Sequence, residues 1–131
     1  MTQQEIFDTV CKHLAQQKEQ AIGTSELGTS CRYRGKNNKK CAVGCLIPDE
    51  VYTPEMDNGW GLGKVLETSK LKHFRQYEWL LLNLQSAHDN AKDAEDLQRR
   101  LNEIADNNHL NNKSVTLIKE WKNLILQTKP S

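Results

Sequence analysis

Cys31-Arg-Tyr-Arg-Gly-Lys-Asn-Asn-Lys-Lys-Cys41-Ala-Val-Gly-Cys45-Leu-Ile-Pro-Asp-Glu-Val-Tyr-Thr-Pro-Glu-Met-Asp-Asn58 holds three of the chain's four cysteines, five basic residues and four acids. Arg32-Tyr33-Arg34, the polar Gly35-Lys-Asn-Asn-Lys39 and then Cys41-Ala-Val43 predict a short strand, a turn and a second strand or buried segment. A small hairpin near residues 31 to 43 follows. The sequence on either side reads mainly as amphipathic helix. The expected fold class is therefore α+β: a predominantly helical single domain over residues 1–131, with about five helices and this one hairpin.

Downstream, Pro48 closes the apolar run from Val43 to Ile47, and Thr53-Pro54-Glu55 reads as an N-cap followed by proline at the first helical position. Gly59, Gly61 and Gly63 around Trp60 and Leu62 make that helix short. Gly59 to Lys64 is not a phosphate loop, because no strand precedes it and no Ser or Thr follows the lysine. Upstream, Thr2 and Glu5 have capping-box spacing, and Ile6, Phe7, Val10, Cys11, Leu14 and Ala15 form one apolar stripe. Lys18 to Ser30 reads as a loop or weak helix. Leu71 to Asn90, with Phe74, Tyr77, Leu81 and Leu84 on one face, should be the most buried helix. Asp93 can cap the next, with Leu97, Leu101, Ile104 and Ala105 inward. Ser114 can cap a last one with Leu117, Ile118, Trp121, Leu124 and Ile125 inward, and the tail from Thr128 is expected to fray.

At 131 residues the chain can bury a core without staples, and its net charge of +1 gives no whole-molecule attraction to nucleic acid or membrane. No signal-peptide-like run and no membrane-length apolar stretch is present, so a cytoplasmic location is expected. Thiols stay reduced there, which favours packing over disulfides.

The charge is segregated. Arg32, Arg34, Lys36, Lys39 and Lys40 fall within nine residues that contain no acid, leaving the remainder net acidic. On a strand, Arg32 and Arg34 would share a face and suit a phosphate or carboxylate, with Tyr33 pointing the other way. A solvated hairpin tip explains the same charges. Cys31, Cys41 and Cys45 lack the paired spacing of common zinc sites even with His88 as a fourth ligand, and Cys41-Ala-Val-Gly-Cys45 suits close packing better than metal. His88 and Asp89 are read as diverging neighbours that cannot jointly grip one metal; His88 either caps or is buried, or it reaches the arginine face. Asp49, Glu50, Glu55 and Asp57 lack a calcium-loop pattern and are read as solvated or as neutralising the basic turn. Ala105, His109, Val115 and Ile118 match helix-turn-helix spacing, although His stands at the turn position, where a left-handed residue is needed.

With Cys31-Arg-Tyr-Arg-Gly35, Lys40 to Glu50, Tyr52, Met56 and Leu84-Gln-Ser-Ala-His-Asp89, the span from Cys31 to Leu110 resembles a family of small uncharacterised proteins encoded by bacteriophages and prophages. The resemblance implies a compact, mostly helical domain with the cysteine-rich stretch against the His-Asp helix, and a non-enzymatic role in the infected host cell. The resulting expectation is a phage protein, without catalytic residues, cofactor or metal, that captures an anionic small molecule such as a nucleotide signal of host defence. Arg32 and Arg34 would take phosphates, Lys36, Lys39 and Lys40 would add field, and Tyr33, Trp60 or His88 would stack on a base. The alternatives are a DNA-binding module over residues 93 to 127 and an inhibitor of a host defence protein acting through the acidic turn or the surface around Trp60 and Trp79.

Overall fold

The computed structural model describes residues 1–26 and 28–128; of the tail expected to fray from Thr128, residues 129–131 lie outside the described residues, and Thr128 is the last residue of a short helix. Helix α1 (Gln3–Gln17) begins with the expected capping box, in which Thr2 Oγ1 accepts from the Glu5 amide and the Glu5 carboxylate accepts from the Thr2 amide. Its stripe of Ile6, Phe7, Val10, Cys11 and Leu14 is fully buried. Lys18 ends it in the left-handed region at φ 68°, donating its amide to Leu14 O.

The fold is α+β, with five α-helices and one two-stranded antiparallel sheet among the described residues. The hairpin lies upstream of its expected place: β1 (Ile22–Ser25) pairs with β2 (Gly28–Cys31), Ile22 opposite Cys31 and Ser25 opposite Gly28. Its strands hold two glycines and one large apolar residue, Ile22, so no apolar alternation marks them and the stretch reads as a loop. Between residues 31 and 43 only the isolated antiparallel bridge Arg34–Lys40 forms, across a 3-10 turn at Lys36–Asn38. The amides that would extend a ladder are taken elsewhere: Arg32 donates to Ala21 O, and Tyr33 and Arg34 donate to the Asp57 carboxylate.

Pro54–Asp57 is a 3-10 turn with proline in its first turn, and α2 (Leu62–Val65) begins just after Gly61 and contains Gly63. The expected continuous helix from Leu71 to Asn90 is two pieces, a 3-10 helix at Ser69–Tyr77 and then α3 (Glu78–Asn90). Leu71, Phe74 and Tyr77 recur every third residue, which aligns them on a helix of three residues per turn. From Leu81 through Leu84 to His88 the spacing becomes that of an α-helix. Asp93 caps α4 (Ala94–Asn107) by accepting from the Asp96 amide.

The expected last helix is also corrected. Lys113–Leu117 is a 3-10 turn, Ile118 to Asn123 has no helix and makes one isolated bridge at Lys122, and only α5 (Leu124–Thr128) is α-helical. Lys122 exchanges backbone hydrogen bonds with Lys18 and Gln20, a pairing that a helix would forbid. Ser114 caps no helix; its buried hydroxyl donates to Asp8. The helix-turn-helix reading thus loses its second helix, although His109 does take a left-handed φ of 56°. Buried residues from α1, α3, α4 and the loops between them form one hydrophobic cluster, with α3 packed against both α1 and α4. No described helix is long and apolar enough to cross a membrane.

Candidate anion-binding site

Two anchors fix the basic loop. From α1, His13 Nε2 lies 2.7 Å from Lys40 O, while the Gln17 amide donates to the same oxygen and accepts from the Lys40 amide, each at 2.8 Å. Beside a carbonyl the His13 nitrogen must donate, and burial holds this imidazole below its ordinary pKa. On the other side Asp57 accepts from the amides of Tyr33 (2.7 Å) and Arg34 (3.1 Å) and from the Tyr52 hydroxyl (2.6 Å). Burial and then that hydrogen bond push the Tyr52 hydroxyl up to about 12, so it remains a donor.

Between these anchors lies a pocket of about 450 Å³ walled by Arg34, Asn38, Lys39, Lys40, Asp49 and Tyr52. The Arg34 guanidinium sits 5.1 Å from the centre of the Tyr52 ring and donates to Ile47 O and to Asp49 at 2.7 Å. Lys40 Nζ approaches the same Asp49 oxygen at 3.5 Å. Asp49 is nevertheless 81% exposed, held between two cations at the mouth of the pocket. Lys39 completes the wall and pairs loosely with Glu19 at 3.5 Å.

The other expected site residues are dispersed. Arg32 and Arg34 do not share a face, since residues 32–34 are not strand and the two side chains line different pockets. Arg32 lies across Gly23, where any β-carbon would fall 2.2 Å from its Nε, and that buried Nε has no hydrogen-bond partner. It lines a second, smaller pocket of about 250 Å³ with Tyr33 and Trp60, among the acids Asp57 and Asp89. Lys64 Nζ stands 4.5 Å from the centre of the Trp60 ring, so one face of that indole is covered. Lys36 turns away to donate to Thr24.

His88 is fully buried and does not reach a ligand face. Its Nε2 accepts from the Ala21 amide at 3.0 Å, which places the ring proton on Nδ1, 2.7 Å from the Asp89 carboxylate. Gln85 donates to the same oxygen at 2.9 Å and accepts from the Val43 amide. The adjacent His88 and Asp89 therefore do converge, and with Cys31 they offer ligand atoms within 4.8 Å of one another. Metal on Nδ1 would move the proton to Nε2, where it would face the Ala21 N–H, so the arrangement fits a structural hydrogen-bond chain better than a metal centre. Burial and the Asp89 charge raise the Cys31 thiol, which opposes a thiolate nucleophile. Cys11 and Cys45 are pushed up to about 12 by burial, and Cys41 is raised as well. Cys41 Sγ accepts from the Gly44 amide and the Cys45 thiol donates to Ala42 O, in keeping with packing.

Comparison of the chain with protein-family models, curated proteins and solved structures finds no match. His13, Gln17, Asp57 and Tyr52 were not singled out from sequence as site residues. Asp57 left one trace, its place in a run of acids just after a run of bases, which neutralisation already suggested. His13 and Gln17 gave none, because their spacing on α1 shows a shared face and not what that face meets.

Proposed function

We propose that the protein is a non-enzymatic binder of a small phosphate-bearing anion of the nucleotide class, held by Arg34, Lys39 and Lys40. One observation carries the reading: the exposed carboxylate of Asp49 bridges Arg34 and Lys40 at the pocket mouth, where an anionic ligand would sit. The cations are preorganised, since α1 clamps the Lys40 backbone and Asp57 clamps that of Arg34, which lowers the ordering cost of binding. The pocket falls in the usual size range of small-molecule sites. A phage-encoded counter-defence role, sequestering a signalling nucleotide of the host cytoplasm, is the biological form of this proposal. It rests on the resemblance of the Cys31-to-Leu110 span.

Asp49→Asn decides the matter, because it removes a competing anion while preserving size. Calorimetric titration with nucleoside mono- and diphosphates should show tighter binding to Asp49→Asn than to the natural chain, and weaker binding to Lys39→Ala with Lys40→Ala. Affinity should fall with added salt. Unchanged affinity in both variants would refute the assignment of this pocket.

A further inference from the structure

A second basic surface lies far along the chain from the first. In the 3-10 helix at Ser69–Tyr77, three residues per turn put Lys72 and Arg75 in one row about 6 Å apart along the axis; Glu78 takes the next place, and Trp79 and Leu82 on α3 stand beside it on the same outward side, away from the buried Leu81 and Leu84. Lys72, Arg75, Trp79 and Leu82 are exposed, Trp79 at 74%, the highest value among the large exposed hydrophobics described. Lys70 and His73 lie exposed on the adjoining row. No acid occurs between Ser69 and Tyr77, Glu78 being the nearest on the C-terminal side. Among the described residues Lys70, Lys72 and Arg75 have no ion pair. The opposite side of the same helices, Leu71, Phe74, Leu81 and Leu84, is spent in the core. Core packing therefore does not explain Trp79, and neighbouring acids do not neutralise the cations.

We infer that the exposed surface formed by Lys72, Arg75 and Trp79 binds single-stranded nucleic acid, with a base stacked on the Trp79 indole and phosphates on Arg75 and Lys72. The chemistry is that of a stacking platform beside a cationic track, which tolerates any base because every base offers a π face. Duplex is disfavoured, since its bases are already stacked and a single indole on a convex helix enters neither groove. An anionic membrane surface fits less well: a helix lying in lipid needs a broad apolar face, and here only Trp79 and Leu82 remain outside the core.

Fluorescence anisotropy with a labelled short oligothymidylate tests the inference. Trp79→Ala should weaken binding about ten-fold or more, Trp79→Phe should retain most of it, and titration should quench the tryptophan emission of the natural chain. Lys72→Ala with Arg75→Ala should lower the slope of log affinity against log salt by about 1.4. Lys39→Ala with Lys40→Ala should leave oligonucleotide binding intact, which separates this surface from the anion pocket. The inference is overturned if Trp79→Ala binds as the natural chain does, if duplex of the same length binds equally well, or if phosphatidylserine vesicles bind the protein while the oligonucleotide does not.

Discussion

Asp57 and Gly44 show how single residues set the basic loop. Asp57 receives two successive backbone amides and a phenol, so one side chain does the work of a strand partner for Tyr33 and Arg34. Gly44 is needed for space: a β-carbon there would fall 2.1 Å from the carbonyl oxygen of Tyr33, an atom that cannot swing aside. The small-residue run Cys41 to Cys45 signals close packing in the sequence, and it does meet helices, with Gly44–Leu46 against α1 and the Val43 amide on Gln85 of α3, while Gly44 itself lies against the backbone of Tyr33. Gly44→Ala should accordingly destabilise the protein by roughly 1–3 kcal/mol, the usual cost of overpacking, seen as a lower denaturation midpoint in urea. A midpoint equal to that of the natural chain would mean the loop can move away freely.

At the scale of elements, local chemistry sufficed where an element is fixed by its own ends and stripe. The Thr2–Glu5 capping box and the Asp93 cap are both present as read. Thr2→Ala should cost about 1 kcal/mol through the lost cap, measurable as a shift in thermal midpoint, whereas Thr2→Ser should be nearly neutral. Elements went astray where the deciding partner is distant in sequence. Apolar positions at Leu117, Ile118 and Trp121 suit a helix, yet Gln20 and Lys18 draw the following backbone into a bridge, and Leu117 is left 49% exposed. Similarly, β1 and β2 hold no apolar alternation to reveal them, and the Ala21 amide just before β1 is fixed by His88, whose ring lies on α3.

For the whole molecule, α1 couples the core to the candidate site through His13, which gives a pH signature. Burial depresses its folded-state pKa, so in acid the unfolded chain binds a proton that the folded chain resists. Stability from this source is complete above the unfolded value of about 6.5 and is lost as pH falls below it. Thermal melts of the natural chain should therefore show a decline as pH falls below about 6.5 that His13→Gln reduces; an identical slope in both would remove His13 from the account. Asp96 titrates in a separate window, because the Lys92 amide and then Arg99 and Arg100 hold its carboxyl down at about 2. The sequence by itself determined the fold class, the capped helices, the buried stripe of α1 and the basic stretch at residues 32–40, because each depends on residues within a few turns of one another. Only the tertiary structure decided that Arg32 and Arg34 part, that His88 is a core residue rather than a ligand contact, and that Arg34, Lys39 and Lys40 converge on one pocket. Those outcomes depend on hydrogen bonds accepted by Asp57, exchanged by Gln17 and donated by Ala21, whose partners lie too far along the chain for any local pattern to record.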